Sequence, residues 1–97
     1  MKELNFEWDV KKEKANIGKH GVSFTEARTV FYDENAIQFF DPDHSEDEDR
    51  FILLGMSFKL RALVVCHCFR KDENTIRIIS ARKADRNEKY EYWRLIK

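Results

Sequence analysis

Arg70, Arg77 and Arg82 are the residues of this 97-residue chain whose type and spacing best suit chemistry on a phosphate. A guanidinium stays protonated at physiological pH and offers fixed N–H forks that match phosphate oxygens. Arg70 and Arg77 flank Lys71-Asp72-Glu73-Asn74, a four-residue connection between two β-rich runs. If residue 70 pairs with 75, residue 68 faces 77, and the two arginines lie diagonally on one sheet face. Arg82 stands five residues beyond Arg77, so a regular pleat sends it to the other face. It rejoins Arg77 only if the strand bulges or ends by about Ala81. The plainer alternative is that each arginine pairs with one of the 18 carboxylates.

His44 is the first acid–base candidate. An imidazole titrates near neutrality, and Glu46, Glu48 and Asp49 beside it favour its protonated form. The alternative is an exposed loop histidine with no task. His20 precedes Gly21, where a cation stabilises the last carbonyls of a helix, so capping is its first role. His67 falls inside a strand and reads as a hydrogen-bonded core histidine. Glu88 and Tyr92 are four apart and share a helix face near Ala84. An acid and a phenol there could overhang a site; alternatively Glu88 completes a helix cap and Tyr92 is a core aromatic with its hydroxyl at the rim. Metal patterns are weak. Cys66-His67-Cys68 puts both sulfurs on one face of a strand and the imidazole on the other. The six carboxylates of residues 41–49 lack calcium-loop spacing and its central glycine. Three scattered glycines cannot build a phosphate loop.

These side chains need elements to position them. Residues 4–8 alternate as a short edge strand, and Asp9 caps a helix that runs to about His20 and stops at Gly21. Ser23-Phe24-Thr25-Glu26 reads as a capping box, with Phe24, Ala27, Val30 and Phe31 as the apolar stripe of a second helix. Four strands are expected at 36–40, 50–58, 61–70 and 75–82. The third is apolar on both faces and so belongs in the middle of the sheet. Asp85-Arg86-Asn87-Glu88 opens a last helix to about Ile96. The order β-α-α-β-β-β-β-α predicts an α+β domain: a mainly antiparallel sheet of four to five strands, two N-terminal helices and one C-terminal helix. One domain spans 1–97, since the length leaves little room for a second.

Eighteen basic and eighteen acidic residues cancel, but they segregate. Residues 33–57 carry one basic and eight acidic side chains, whereas residues 58–97 carry eleven basic and five acidic. The C-terminal part can meet a polyanion and the middle a basic partner. Thirteen aromatic residues in ordered apolar runs argue for a packed core rather than disorder. No apolar run approaches the ~18 residues of a membrane helix. A charged start and two cysteines point to a cytoplasmic protein with free thiols.

Taken together the blocks resemble the BrnT family, toxins of type II toxin–antitoxin pairs. Phe6-Glu7-Trp8-Asp9 is followed by Lys12 and Asn16, then Lys19-His20-Gly21-Val22-Ser23-Phe24, Ala27 and Phe31. His44-Ser45, Glu48 and Arg50 form the middle block, and Ile76-Arg77-Ile78-Ile79-Ser80-Ala81-Arg82, Ala84, Glu88 and Tyr90 or Tyr92 the last. The resemblance covers about residues 6–92. It departs at Ser57-Phe58-Lys59-Leu60-Arg61, where family members usually have a glycine-containing turn. It implies a RelE-like fold and a ribonuclease that halts translation by cutting RNA without a cofactor or metal. It also implies a BrnA-like antitoxin that neutralises the toxin in a complex and binds operator DNA.

The expected catalytic set is His44, Glu48, Arg50, Arg70, Arg77, Arg82, Glu88 and Tyr92. Trp8, Lys12, Lys19, His20 and Lys83 are expected to contact RNA, with Trp8 or Tyr92 stacking on an unpaired base. The competing reading is a non-catalytic module that binds nucleic acid or protein on the same basic face.

Overall fold

In a computed structural model, residues 3–44, 48–72 and 74–96 are described, with only the backbone of His44. Asp9 caps the first helix by accepting from the backbone N–H of Lys11 (2.8 Å) and Lys12 (3.2 Å). The helix, α1 (Val10–His20), ends at Gly21 with φ +69°, the left-handed stop that glycine takes without strain. Ahead of it lies β1 (Asn5–Glu7); after it come α2 (Phe24–Thr29) and a single turn over Val30–Tyr32. Four strands follow: β2 (Ile37–Asp41), β3 (Arg50–Met56), β4 (Ala62–Phe69) and β5 (Thr75–Lys83). The last helix, α3 (Arg86–Arg94), starts in a complete capping box between Asp85 and Glu88, as expected.

The strands form one sheet in the order β1-β5-β4-β3-β2. The doubly apolar strand, β4, is central, and β2, β3, β4 and β5 alternate antiparallel. The expectation of an antiparallel sheet is corrected at the edge: β1 runs parallel to β5, with Glu7 beside Arg77, so the sheet is mixed. Residue pairing cannot be read from a three-residue strand whose partner lies some seventy residues on.

Two apolar clusters sit on the two faces. Leu63, Val65, Ile76, Ile78 and Ala81 pack under α1 and α2, with Val22, Phe24, Ala27 and Val30 fully buried above them. Ala62, Val64 and Leu54 pack under Tyr92 of α3. Deleting a fully buried side chain such as Phe24 would cost about 3–5 kcal/mol. Gly55 lets the 30–36 segment lie directly on β3, since a Cβ there would meet Val30 Cγ1 at 2.8 Å and Ala36 Cβ at 2.9 Å.

Glu26 departs from its expected role. Ser23 Oγ accepts from the Glu26 N–H (3.0 Å), but the Glu26 carboxylate does not return to close the box. It is buried and instead takes Ser57 Oγ–H (2.6 Å) and the Arg61 guanidinium. Burial pushes its carboxyl up, but those hydrogen bonds prevail and hold it below the usual carboxylate range. This clamp holds the turn between β3 and β4. There Leu60 N–H donates to Ser57 C=O and Ser57 N–H to Arg61 C=O, a three-residue hairpin loop. Leu60 occupies the left-handed position (φ +61°) where glycine would avoid a cost of roughly 1–2 kcal/mol.

His67 is a core histidine, as expected. Its Nδ1 donates to Val65 C=O (3.1 Å), and Nε2 meets the Gln38 amide (3.2 Å). Phe31, Phe51 and Phe69 surround the ring. Burial lowers its affinity for a proton. An unfolded histidine titrates near ~6.5, so as pH falls through that value the unfolded chain takes up the proton first and stability drops, by at most about 1.4 kcal/mol per pH unit. Denaturant titrations at pH 7.5 and 5.5 should show a loss of about 1 kcal/mol that His67→Gln abolishes. Equal loss in both proteins would assign it to another group.

Candidate phosphate-binding site

One face of the sheet is apolar at one end and charged at the other. Near the middle of β5 the pairing slips. Ser80 opposes Cys66 and Ile78 opposes His67, leaving Ile79 as an extra, bulged residue. The bulge turns Arg82 and Ser80 to the face that carries Arg77, the condition the sequence set for Arg82. Arg82 lies over the half of that face covered by α3.

The other half is open and carries a row of side chains that crosses all five strands. Glu7 on β1 is level with Arg77 on β5, Arg77 with Cys68 on β4, Cys68 with Arg50 on β3, and Arg50 with Asp41 on β2. With neighbouring strands ~4.8 Å apart, the backbones of Arg77 and Arg50 flank that of the buried Cys68 at roughly 10 Å from each other. Glu48 reaches over the same thiol, which burial, aided by Glu48, makes harder to ionise against the pull of Arg77 and Arg70. Arg70 continues past the end of β4. Its Nε lies 3.7 Å from Glu7 Oε2, and Arg77 Nη1 lies 3.9 Å from the same oxygen. These are loose, half-exposed pairs, each contributing less than about 1 kcal/mol.

Two hollows border the row. One, of about 280 Å³, is lined by His20, Asp41, Arg50, Cys66, Ser80 and Arg82 among others. The second, more open, of about 680 Å³, includes Glu7, Glu48, Arg70 and Thr75. Glu48, Arg70 and Arg77 thus gather about Cys68, while Arg50 faces Cys66 in the first hollow together with Asp41, Ser80, Arg82 and His20.

The remaining expected site residues stand elsewhere. Glu88 grips Arg82 with both oxygens (2.7 and 2.8 Å) and accepts the Asp85 N–H (2.8 Å). The Arg82 guanidinium first, then the Asp85 N–H, holds its carboxyl below its ordinary range despite partial burial. Tyr92 is buried, and its hydroxyl donates to Asp33 Oδ2 (2.5 Å), which also accepts the Met56 N–H (2.8 Å). Burial first, then the Asp33 carboxylate, pushes the phenol far above its ordinary range. Trp8 packs edge-on against Phe24 (6.0 Å) as part of the core wall. Lys12 and Lys19 are exposed along α1, and Lys83 lines a separate hollow beside α3. The His44 side chain lies outside the described residues; its backbone closes the turn Pro42–His44 directly after Asp41. Sequence reasoning missed Glu7, Asp41 and Cys68 as members of the row. Strand parity could have placed Cys68 and Arg77 together, but nothing local links Glu7 or Asp41 to them.

Among the described residues no helix is long and apolar enough to cross a membrane. No group of three or more His, Cys, Asp or Glu side chains among them could hold a metal ion.

The architecture is that of a small α+β protein in which one sheet face exposes arginines from neighbouring strands. The chain belongs to the BrnT family, ribonuclease toxins of type II toxin–antitoxin systems, whose family model matches residues 8–88. Its fold is similar to that of the Brucella abortus ribonuclease toxin BrnT. The TM-score is 0.65 at 24% identity, over 86% of this chain and 99% of that one. No curated protein sequence matches the chain.

Proposed function

We propose that this chain is an endoribonuclease that cuts RNA by internal attack, with the cross-strand row as its centre. The observation that carries this reading is that Glu48, Arg70 and Arg77 gather about the buried Cys68, with Arg50 on the next strand beside the neighbouring Cys66. A phosphodiester lying over Cys68 and Cys66 would meet Arg70 and Arg77 at one end and Arg50 at the other, cations suited to the extra charge of a phosphorane.

In the reaction the ribose 2′-hydroxyl attacks the adjacent phosphorus. The 2′-oxygen–phosphorus bond forms, and the bond to the 5′-oxygen breaks. A base takes the 2′-proton and an acid supplies one to the leaving oxygen, giving a cyclic phosphate and a 5′-hydroxyl. Glu48 is the base we favour, because it meets the Cys68 thiol about which Arg70 and Arg77 gather. His44 is our candidate acid, carried on the turn that leaves the row at Asp41. Arg82 and Glu88 hold each other and set the margin of the site, and Tyr92 anchors α3. His20 and Lys19, at the end of α1, and Lys12 further along it, extend the surface toward flanking RNA. On this reading the reaction needs no metal, the toxin lowers translation by removing RNA, and a BrnA-like antitoxin neutralises it and carries operator DNA binding.

Purified protein incubated with RNA in EDTA should yield discrete fragments ending in cyclic phosphate. Once a mock preparation lacking the protein is shown to leave the RNA intact, fragments that persist unchanged when both Arg50 and Arg77 are replaced would take the row out of the mechanism. Intact RNA with retarded mobility would support the non-catalytic binding module instead.

A further inference from the structure

The end of the molecule remote from the arginine row is apolar, exposed and positively charged. The turn between β3 and β4 lifts Phe58 and Leu60 into solvent, 62% and 82% exposed. Leu60 does so in a left-handed backbone conformation, where an aliphatic side chain is disfavoured and finds no packing in return. Trp93 of α3 stands beside it, 57% exposed. Between the turn and α3 lies a hollow of about 360 Å³ lined by Met56, Leu60, Arg61, Lys83, Lys89 and Trp93 among others, with no carboxylate in its wall. Lys59 adds a further cation over the Phe58 ring. Solitary exposed apolar residues are ordinary, but a cluster rimmed by like charges marks an interaction surface.

We propose that this surface docks a protein segment that inserts an apolar side chain between Leu60 and Trp93 and sets carboxylates against Lys59, Lys83 and Lys89. Trp93 offers a flat face, but the other apolar residues of the hollow, Met56, Leu60 and Ala62, are aliphatic, so a base could stack on one side only whereas an apolar protein side chain packs against all of them. The eight residues of β4 separate this end from the arginines by roughly 24 Å, so the segment is an anchor and not a plug. The inference rests on the antitoxin reading above, and the cognate antitoxin of this chain is the probe.

Calorimetric titration of that antitoxin into the wild type, Leu60→Asn, Trp93→Ala and Lys89→Glu tests it. Each variant should weaken the Kd at least tenfold. Leu60→Asn should melt no lower than the wild type, because asparagine tolerates the left-handed conformation, so its loss of affinity cannot be a folding defect. Wild-type affinity in Leu60→Asn and Trp93→Ala overturns the surface and leaves the antitoxin reading standing. A wild type that ignores the antitoxin overturns both. Unchanged antitoxin affinity with a raised KM for RNA cleavage makes the patch an RNA surface. A wild-type dimer in sedimentation that Leu60→Asn dissolves makes its occupant a second copy. Either result overturns the proposal.

Discussion

Arg77→Ala is expected to slow RNA cleavage by 100- to 1000-fold while leaving the fold intact, a loss of about 2.7–4 kcal/mol of transition-state stabilisation. Arg77 is half-exposed, and its partner in the ground state is Glu7 at 3.9 Å, a pair too loose to hold the sheet together. The guanidinium therefore has little to do in the free protein, and on the proposed mechanism it acts when the phosphate beside it gains charge. The loss should fall on kcat more than on KM, since charge develops in the transition state. Arg77→Lys should recover part of the rate, because it restores charge but not the fork. Arg82→Ala should behave differently. Its guanidinium is already engaged by both oxygens of Glu88, so its removal should act through the seating of α3 and lower the melting temperature as well as the rate. Single-turnover cleavage of an RNA oligonucleotide, with a melting curve for each variant, separates the two. Wild-type cleavage by a folded Arg77→Ala protein would remove the row from the mechanism.

Asn16→Ala should lower stability by about 2–4 kcal/mol, the largest effect expected of a single polar side chain here. Among the described residues no strand takes the place of β1 beside β5 beyond Arg77, which leaves the backbone of Ala81 without a ladder partner on that side. Asn16, buried on α1, supplies one. Its Nδ2 donates to Ala81 C=O (2.8 Å) and to Val22 C=O (2.9 Å), and its Oδ1 accepts the Ala81 N–H (3.1 Å). Alanine would leave three buried backbone groups unpaired. Asn16→Asp should be at least as harmful: it has nearly the same shape but turns an acceptor toward two carbonyls. Denaturant unfolding distinguishes hydrogen bonding from volume on this point. An aspartate variant as stable as the wild type would show that the site tolerates rearrangement. Because Asn16 fixes the strand at the bulge, either variant should also displace Ser80 and Arg82 and slow cleavage.

Much of the architecture was legible because it is written locally. Asp9, Gly21 and the Asp85–Glu88 box bound helices through contacts within a few residues. The two-sided apolarity of β4 and the hairpin between 70 and 75 follow from pleat and turn chemistry. The Ser23 box forms only in half, since the acid expected to close it binds Arg61, 35 residues away.

What the residues settled unaided was the set of elements and the supply of guanidiniums near the ends of β3, β4 and β5. The folded chain decided which of them meet. A bulge at Ile79 carries Arg82 across the sheet, a parallel strand brings Glu7 to Arg77, and Glu88 and Tyr92 are drawn into holding α3. Caps and periodicities act over one or two turns of chain. Register between strands is fixed only when distant apolar faces close on one another, and a slip of a single residue moves a side chain to the opposite face.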